Sequence, residues 1–222
     1  MEKHIVKVLQ TNFVTNNVKH FVVEKPVGYS FISGQATDVS INKPGLENEL
    51  RPFTFTSLNN WENLEFTIKI YTDHDGVTNK LLKVNGGDEL ILHEVFGAIA
   101  FKDPGLFIAG GAGVTPFISI LRQLNIQNNL KNSTLLFANH TEADVILHHE
   151  LQVMLGDRLI NVISNPNTTD MPGKTINKEM LSQYINKETA NYYVCGPDKF
   201  TEQMINYLKE LGVAEEQIVY EH

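Results

Sequence analysis

Hydrophobic and polar positions alternate through the first hundred residues. The stretch from His4 to Leu9 alternates, Lys19 to Glu24 is rich in β-branched and aromatic side chains, and Glu65 to Tyr71 sets Phe66, Ile68 and Ile70 on one face. Polar or Gly/Pro stretches separate the runs: Asn16-Asn17, Lys43-Pro44-Gly45, Asn59-Asn60, Asp73 to Gly76 and Asn85-Gly86-Gly87-Asp88. Many short strands punctuated in this way predict an antiparallel β-barrel. Past Lys102-Asp103-Pro104-Gly105 the period changes. Short apolar runs at 106–109, 134–138, 160–164 and 192–195 alternate with helical patterns at 116–124, 143–155, 178–185 and 199–211, and 217–221 reads as a closing strand. Gly212 suits the position just past the last helix. That order predicts an α/β domain with a parallel five-stranded sheet. The expected domains are 1–102 and 103–222.

Three segments stand out chemically. In Phe107-Ile108-Ala109-Gly110-Gly111-Ala112-Gly113-Val114-Thr115-Pro116 a buried strand runs through three glycines into a helix, with Thr115 expected as N-cap and Pro116 at the first helical position. Glycines let a backbone approach a ligand closely, and a helix N-terminus attracts a pyrophosphate. Alone, the segment is equally compatible with a tight turn that holds nothing. Pro116 stands where the usual dinucleotide fingerprint has its third glycine. Tyr193-Val194-Cys195-Gly196-Pro197-Asp198 is a second strand end and glycine turn, which a doubly wound sheet would bring to the same edge. A buried structural cysteine is the simpler account of it. Arg51-Pro52-Phe53-Thr54-Phe55-Thr56-Ser57 offers a guanidinium, an aromatic face and hydroxyls in quick alternation. A flavin nucleotide needs all three, and an amphipathic strand with one exposed arginine would also read so.

Composition narrows the classes. With 42% hydrophobic and 20% charged residues the chain has an ordinary globular balance. Cys195 is the only cysteine, so neither an internal disulfide nor a four-thiolate iron–sulfur cluster can form within these residues. Any one-electron carrier is then expected to be another molecule. A net charge of -8 argues against a nucleic-acid partner. No apolar run approaches a membrane span or a signal core, so a cytoplasmic location is expected. His148-His149-Glu150 cannot chelate from adjacent helical positions and reads as a solvated face. Asp73, Asp75 and Asp88 fall in turns, where Asp bonds local backbone, so no metal is expected. Trp61 reads as packing.

In this order and spacing, over nearly the whole chain, the three segments resemble the ferredoxin–NADP reductase superfamily. The resemblance implies an FAD-binding barrel, an NAD(P)-binding domain, hydride transfer between NAD(P)H and FAD, and flavodoxin or ferredoxin as electron partner. By that likeness Arg51 contacts the flavin phosphates, and Pro52 and Ser57 belong to the same segment. Phe53 takes the place of the family's usual tyrosine against the isoalloxazine, and Thr54 the hydroxyl place beside flavin N5. The backbone of Lys69, Ile70 and Tyr71 and the turn Gly76-Val77-Thr78 are further flavin contacts, with Thr78 near the pyrophosphate. Gly110, Gly111, Gly113, Val114, Thr115 and Pro116 match the NAD(P) pyrophosphate loop, and Cys195, Gly196 and Pro197 the nicotinamide-side motif. Glu221 resembles the family's acidic C-terminal end. Thr54, Cys195 and Glu221 are the implied catalytic positions. The site that distinguishes the two nicotinamide nucleotides would follow Ala138. It reads Asn139-His140-Thr141-Glu142 and then Asp144 without Lys or Arg, which favours NADH unless Arg122 or Arg158 reaches in. The resemblance also admits an NAD(P)H:flavin reductase, or a nucleotide-binding electron-transfer subunit without turnover.

Overall fold

The computed structural model describes residues 3–73, 75–97, 99–165, 173–185 and 189–221. Its first half is an antiparallel sheet of β1 (His4–Phe13), β2 (Val18–Glu24), β3 (Ala36–Ile41), β4 (Arg51–Thr54), β5 (Asn63–Lys69) and β6 (Glu89–Phe96), in the order β4-β3-β6-β1-β2-β5. The inward positions bury Val23, Phe21, Val39, Leu64 and Phe66 completely. The two edge strands curl toward each other, and an isolated bridge joins Phe55, just past β4, to Phe66 of β5. The expected barrel is therefore present but open along this seam. β1 continues to Phe13, beyond the end of its alternation at Leu9. A bulge between Val8 and Gln10 shifts the pairing with β2 and re-aims the side chains that follow.

A helix, α1 (Val77–Leu81), occupies what the pattern reads only as a turn. Five residues are too few for a 3.6-residue period to show. Its C-terminal end is held by the buried Lys19, whose ammonium donates to the carbonyls of Val84 (2.6 Å) and Leu82 (3.0 Å). Burial pulls that amine below the usual lysine range, and the charge of Asp88 partly restores it.

The second half is a parallel sheet of β7 (Gly105–Gly110), β8 (Thr134–Asn139), β9 (Leu159–Ile163), β10 (Asn191–Cys195) and β11 (Ile218–Tyr220), in the order β11-β10-β7-β8-β9. Both faces are covered, which explains why its strands read as unbroken apolar runs. Phe107, Ala109, Leu135 and Phe137 pack with α2 (Thr115–Ile126) and α3 (His148–Leu155). Leu106, Ile108, Leu136 and Tyr192 pack with α4 (Lys178–Ser182) and α5 (Asp198–Glu210). The helix expected over 143–155 begins only at His148. Residues Glu142–Asp144 form a separate 3-10 turn closed by Thr141 on Asp144, and Leu147 adopts φ 50° and breaks the run. At the end of α5, Gly212 has φ 86°, and the bonds Gly212 N→Lys209 O and Val213 N→Leu208 O complete a Schellman turn. Among the described residues no helix is long and apolar enough to cross a membrane.

Candidate functional site

β7 delivers its chain directly into the glycine turn. Gly111–Val114 wind as a 3-10 turn that runs straight into α2, so Thr115 is already helical (φ -59°, ψ -43°) and not the expected N-cap. No side chain caps α2; the Thr115 N–H bonds the Ala112 carbonyl of the preceding turn, and Pro116 has no N–H. Gly111 has φ 52°, in the region that favours glycine. A Cβ on Gly113 would lie 2.3 Å from the Cys195 carbonyl, so only a glycine lets the turn press against the end of β10. Cys195 pairs with Ala109 across that junction, as the doubly wound pattern anticipates.

The turn opens on a cavity of about 780 Å³ bordered by both sheets. The barrel contributes Asn17, Lys69 and Tyr71, and the parallel sheet contributes the glycine turn and the ends of β8, β9 and β10. This lies at the carboxyl ends of the strands where the sheet's winding reverses, the place such folds reserve for ligands. Asn139 lines the cavity and is 8% exposed, yet neither its amide nitrogen nor its oxygen has a hydrogen-bond partner. A buried, unsatisfied amide in a residue that borders a cavity is a candidate partner for a polar ligand. His140 meets the Ser164 hydroxyl at 3.1 Å beside it. Arg122 and Arg158 are both engaged elsewhere, Arg158 with the carbonyls of Leu130 and Leu155. On the side of the parallel sheet, Lys174 brings a cation to the cavity, placed there as its backbone N–H bonds Ile163 at the end of β9. Sequence reasoning missed it because it lies far along the chain from Asn139.

The remaining expected residues divide between two places. Cys195 is half-buried, and its thiol is pushed up to about 12, first by burial and then by the charge of Glu221, against one hydrogen bond from Gly196. It stays protonated and is no nucleophile. The Glu221 carboxyl is itself raised by desolvation. On the barrel, β4 runs from an exposed Arg51, whose guanidinium bonds the Leu50 carbonyl, past exposed Pro52 to half-buried Phe53 and Thr54. Thr54 pairs with Ala36. Gly76 caps α1, with Val77 buried and Thr78 partly exposed. The Lys69 ammonium lies 5.4 Å from the Tyr71 ring, and Ile70 is buried in the barrel. Ser57 is fully buried, and its hydroxyl accepts from the Glu65 N–H.

Two further readings change. His148 and His149 are exposed, but Glu150 is not a solvated acid. It binds the Nε and Nη2 of Arg122 at 2.6 and 2.8 Å. Trp61 does more than fill space, since its ring lies 5.1 Å from that guanidinium.

Residues 107–206 match the family of oxidoreductase NAD-binding domains. The whole chain superposes on a ferredoxin NADP+ reductase from Neisseria gonorrhoeae, solved with bound FAD and NADP. The TM-score is 0.85 at 19% identity, covering 99% of this chain and 98% of the other. The chain therefore has the fold of the ferredoxin–NADP reductases. Among curated relatives, the reductase component of propane 2-monooxygenase from Mycolicibacterium smegmatis is 29% identical over 89% of this chain and 60% of its own length. NADH–cytochrome b5 reductase 1 of Arabidopsis thaliana is 25% identical over 95% of this chain and 80% of its own. The chain thus spans only about 60% of the length of such longer relatives.

Proposed function

We propose that this chain is a flavoprotein oxidoreductase that moves a hydride between NAD(P)H and bound FAD and exchanges electrons with a separate protein. The observation that supports it most directly is the cavity shared by the two halves, with the unpartnered Asn139 on one wall and Lys69 on the other. We divide the chain at residue 102, with the FAD-binding barrel before it and the NAD(P)-binding domain after it. In this reading Gly110, Gly111, Gly113, Val114, Thr115 and Pro116 receive the NAD(P) pyrophosphate, aided by the Lys69 ammonium across the cleft. Asn139 bonds the adenosine side. Cys195, Gly196 and Pro197 shape the nicotinamide place, with Glu221 beside it. Along β4, Arg51 meets the flavin phosphates and Thr54 the ring, about 10 Å apart at strand rise. Bound flavin supplies the conversion between two-electron and one-electron chemistry. The chain's residues supply binding, orientation and exclusion of water.

For the partner we name a ferredoxin or flavodoxin. Direct delivery to an oxygenase is the second reading, favoured by the likeness to a monooxygenase reductase component. The test begins with colour: the purified chain incubated with FAD and with FMN should turn yellow at one flavin per chain and bleach anaerobically on NADH or NADPH. A protein that stays colourless with both flavins overturns the reading. One that is yellow but never bleached is a binding subunit. Stopped-flow reoxidation by ferredoxin, flavodoxin and oxygenase components then separates the two partner readings.

A further inference from the structure

α2 is the element that joins the two halves of the site. Its N-terminus follows the glycine turn, and one turn further on it grips the barrel twice. The Ser119 hydroxyl, fully buried, accepts the Gly34 N–H at 3.1 Å. Arg122, three residues later and therefore on the same face, donates from Nη1 to the Thr56 carbonyl at 2.7 Å and to the Glu65 carboxylate at 2.9 Å. These anchor points straddle one place. Gly34 precedes Gln35 and Ala36, which bond Phe55 and pair with Thr54. Thr56 follows Phe55 directly and bonds Glu65 across the seam, N–H to carbonyl, at 2.8 Å.

The guanidinium is built in from every side. Glu150 of α3 takes its Nε and Nη2, Trp61 lies beside it, and the side chain is only 12% exposed. A planar fork can hold a carboxylate with two nitrogens and reach a carbonyl with the third, and a lysine point charge cannot. Burying a charge this thoroughly is costly unless each N–H has a partner, so the arrangement has one low-energy geometry. Arg122 lies about 10 Å along α2 from Thr115. A rigid helix thus spans from the glycine turn to the strand that ends at Thr54.

We propose that Arg122, with Ser119, is a strut that fixes the glycine turn at a set distance from β4 and so sets the alignment of nicotinamide over flavin. Both are positioning residues, and the inference rests on the function proposed above. Losing the strut should leave each nucleotide's own contacts intact and spoil their mutual approach, where a misplacement of about 1 Å costs about a hundredfold in rate.

The test uses the flavin-loaded chain with Arg122→Met, Arg122→Lys and Glu150→Gln. Flavin retention and NAD+ affinity are measured by titration, flavin reduction at saturating NAD(P)H by single turnover, and backbone opening by hydrogen exchange at residues 34–36 and 55–57. The expected result for Arg122→Met is unchanged affinities, reduction slowed about a hundredfold, and faster exchange at those two segments. Arg122→Lys and Glu150→Gln should fall between it and the parent, and they decide the question if the Met variant does not fold. Reduction at the parental rate in all three variants overturns the proposal, and so does exchange unchanged at both segments. If the parent binds no flavin, the proposed function fails on its own. Exchange, which needs no flavin, then decides whether the strut exists.

Discussion

Asn139 has a cost in the folded chain that a ligand would remove. A buried amide with both ends unsatisfied costs about 1–3 kcal/mol, and replacement by an apolar group of similar size is neutral or favourable. Asn139→Leu is therefore expected to raise the Tm of the nucleotide-free protein by about 2–4 °C and to weaken NAD+ binding about tenfold. Calorimetry and titration on the same preparation check both signs. A variant that loses Tm as well as affinity would mean the amide is satisfied in the free protein. At Cys195 the raised pKa fixes the expectation differently. Since the thiol stays protonated near neutrality, Cys195→Ser should remain yellow and reduce its flavin more slowly, without loss of a covalent step. Single-turnover reduction measures this, and a parental rate would remove Cys195 from the hydride-transfer place. Lys174 is the residue that the reading of Asn139 to Asp144 lacked. With this cation at the cavity, Lys174→Glu should raise the ratio of kcat/KM for NADH over NADPH about tenfold or more, the worth of a charge-assisted contact. An unchanged ratio would show that Lys174 does not meet the 2′-phosphate.

At the scale of elements, the parallel sheet was legible and much of the barrel was not. Strands buried on both faces have long apolar runs, so β7, β8, β9 and β10 lie within a residue or so of their expected bounds. β3 and β6 escaped notice because their hydrophobic positions do not alternate cleanly: β3 has Thr37 and Ser40 buried and β6 has His93 buried. α1 was too short to read, and α3 starts late because Leu147 interrupts it. The glycine turn and the Cys195-Gly196 turn were visible as local signals. Lys174, Asn17 and the Arg122 cluster were not, because only tertiary contact brings them to the site. That cluster also makes a pH prediction. Burial alone would raise the Glu65 carboxyl, but the His20 hydrogen bond and the Arg122 charge outweigh it and hold the group below its ordinary value. A carboxylate depressed in the folded state stabilises the protein above its unfolded pKa of about 4.3, and that stability is lost as pH falls through the folded value. The stability gap between the parent and Glu65→Gln should therefore shrink as urea titrations move from pH 6 downward. A gap independent of pH would mean that Glu65 acts only through its shape.

For the whole molecule, the Thr54 end of β4, the α2 contacts and the cavity all fall along the junction between the sheets. A ligand seated in that cavity touches Lys69 and Tyr71 on one side and the glycine turn on the other. Its binding energy is available only when both halves are folded and correctly apposed. Mass action then gives about 2.7 kcal/mol of added stability at a hundredfold excess over Kd, and none of it belongs to a chain with one half melted. In scanning calorimetry, saturating NAD+ should move the unfolding of the two halves upward together and sharpen it into a single transition. If only one half's transition moves, the nucleotide rests on that half alone. If both move together, the nicotinamide nucleotide is a reporter of cooperativity, binding the barrel and the parallel sheet into one thermodynamic unit for as long as it stays bound.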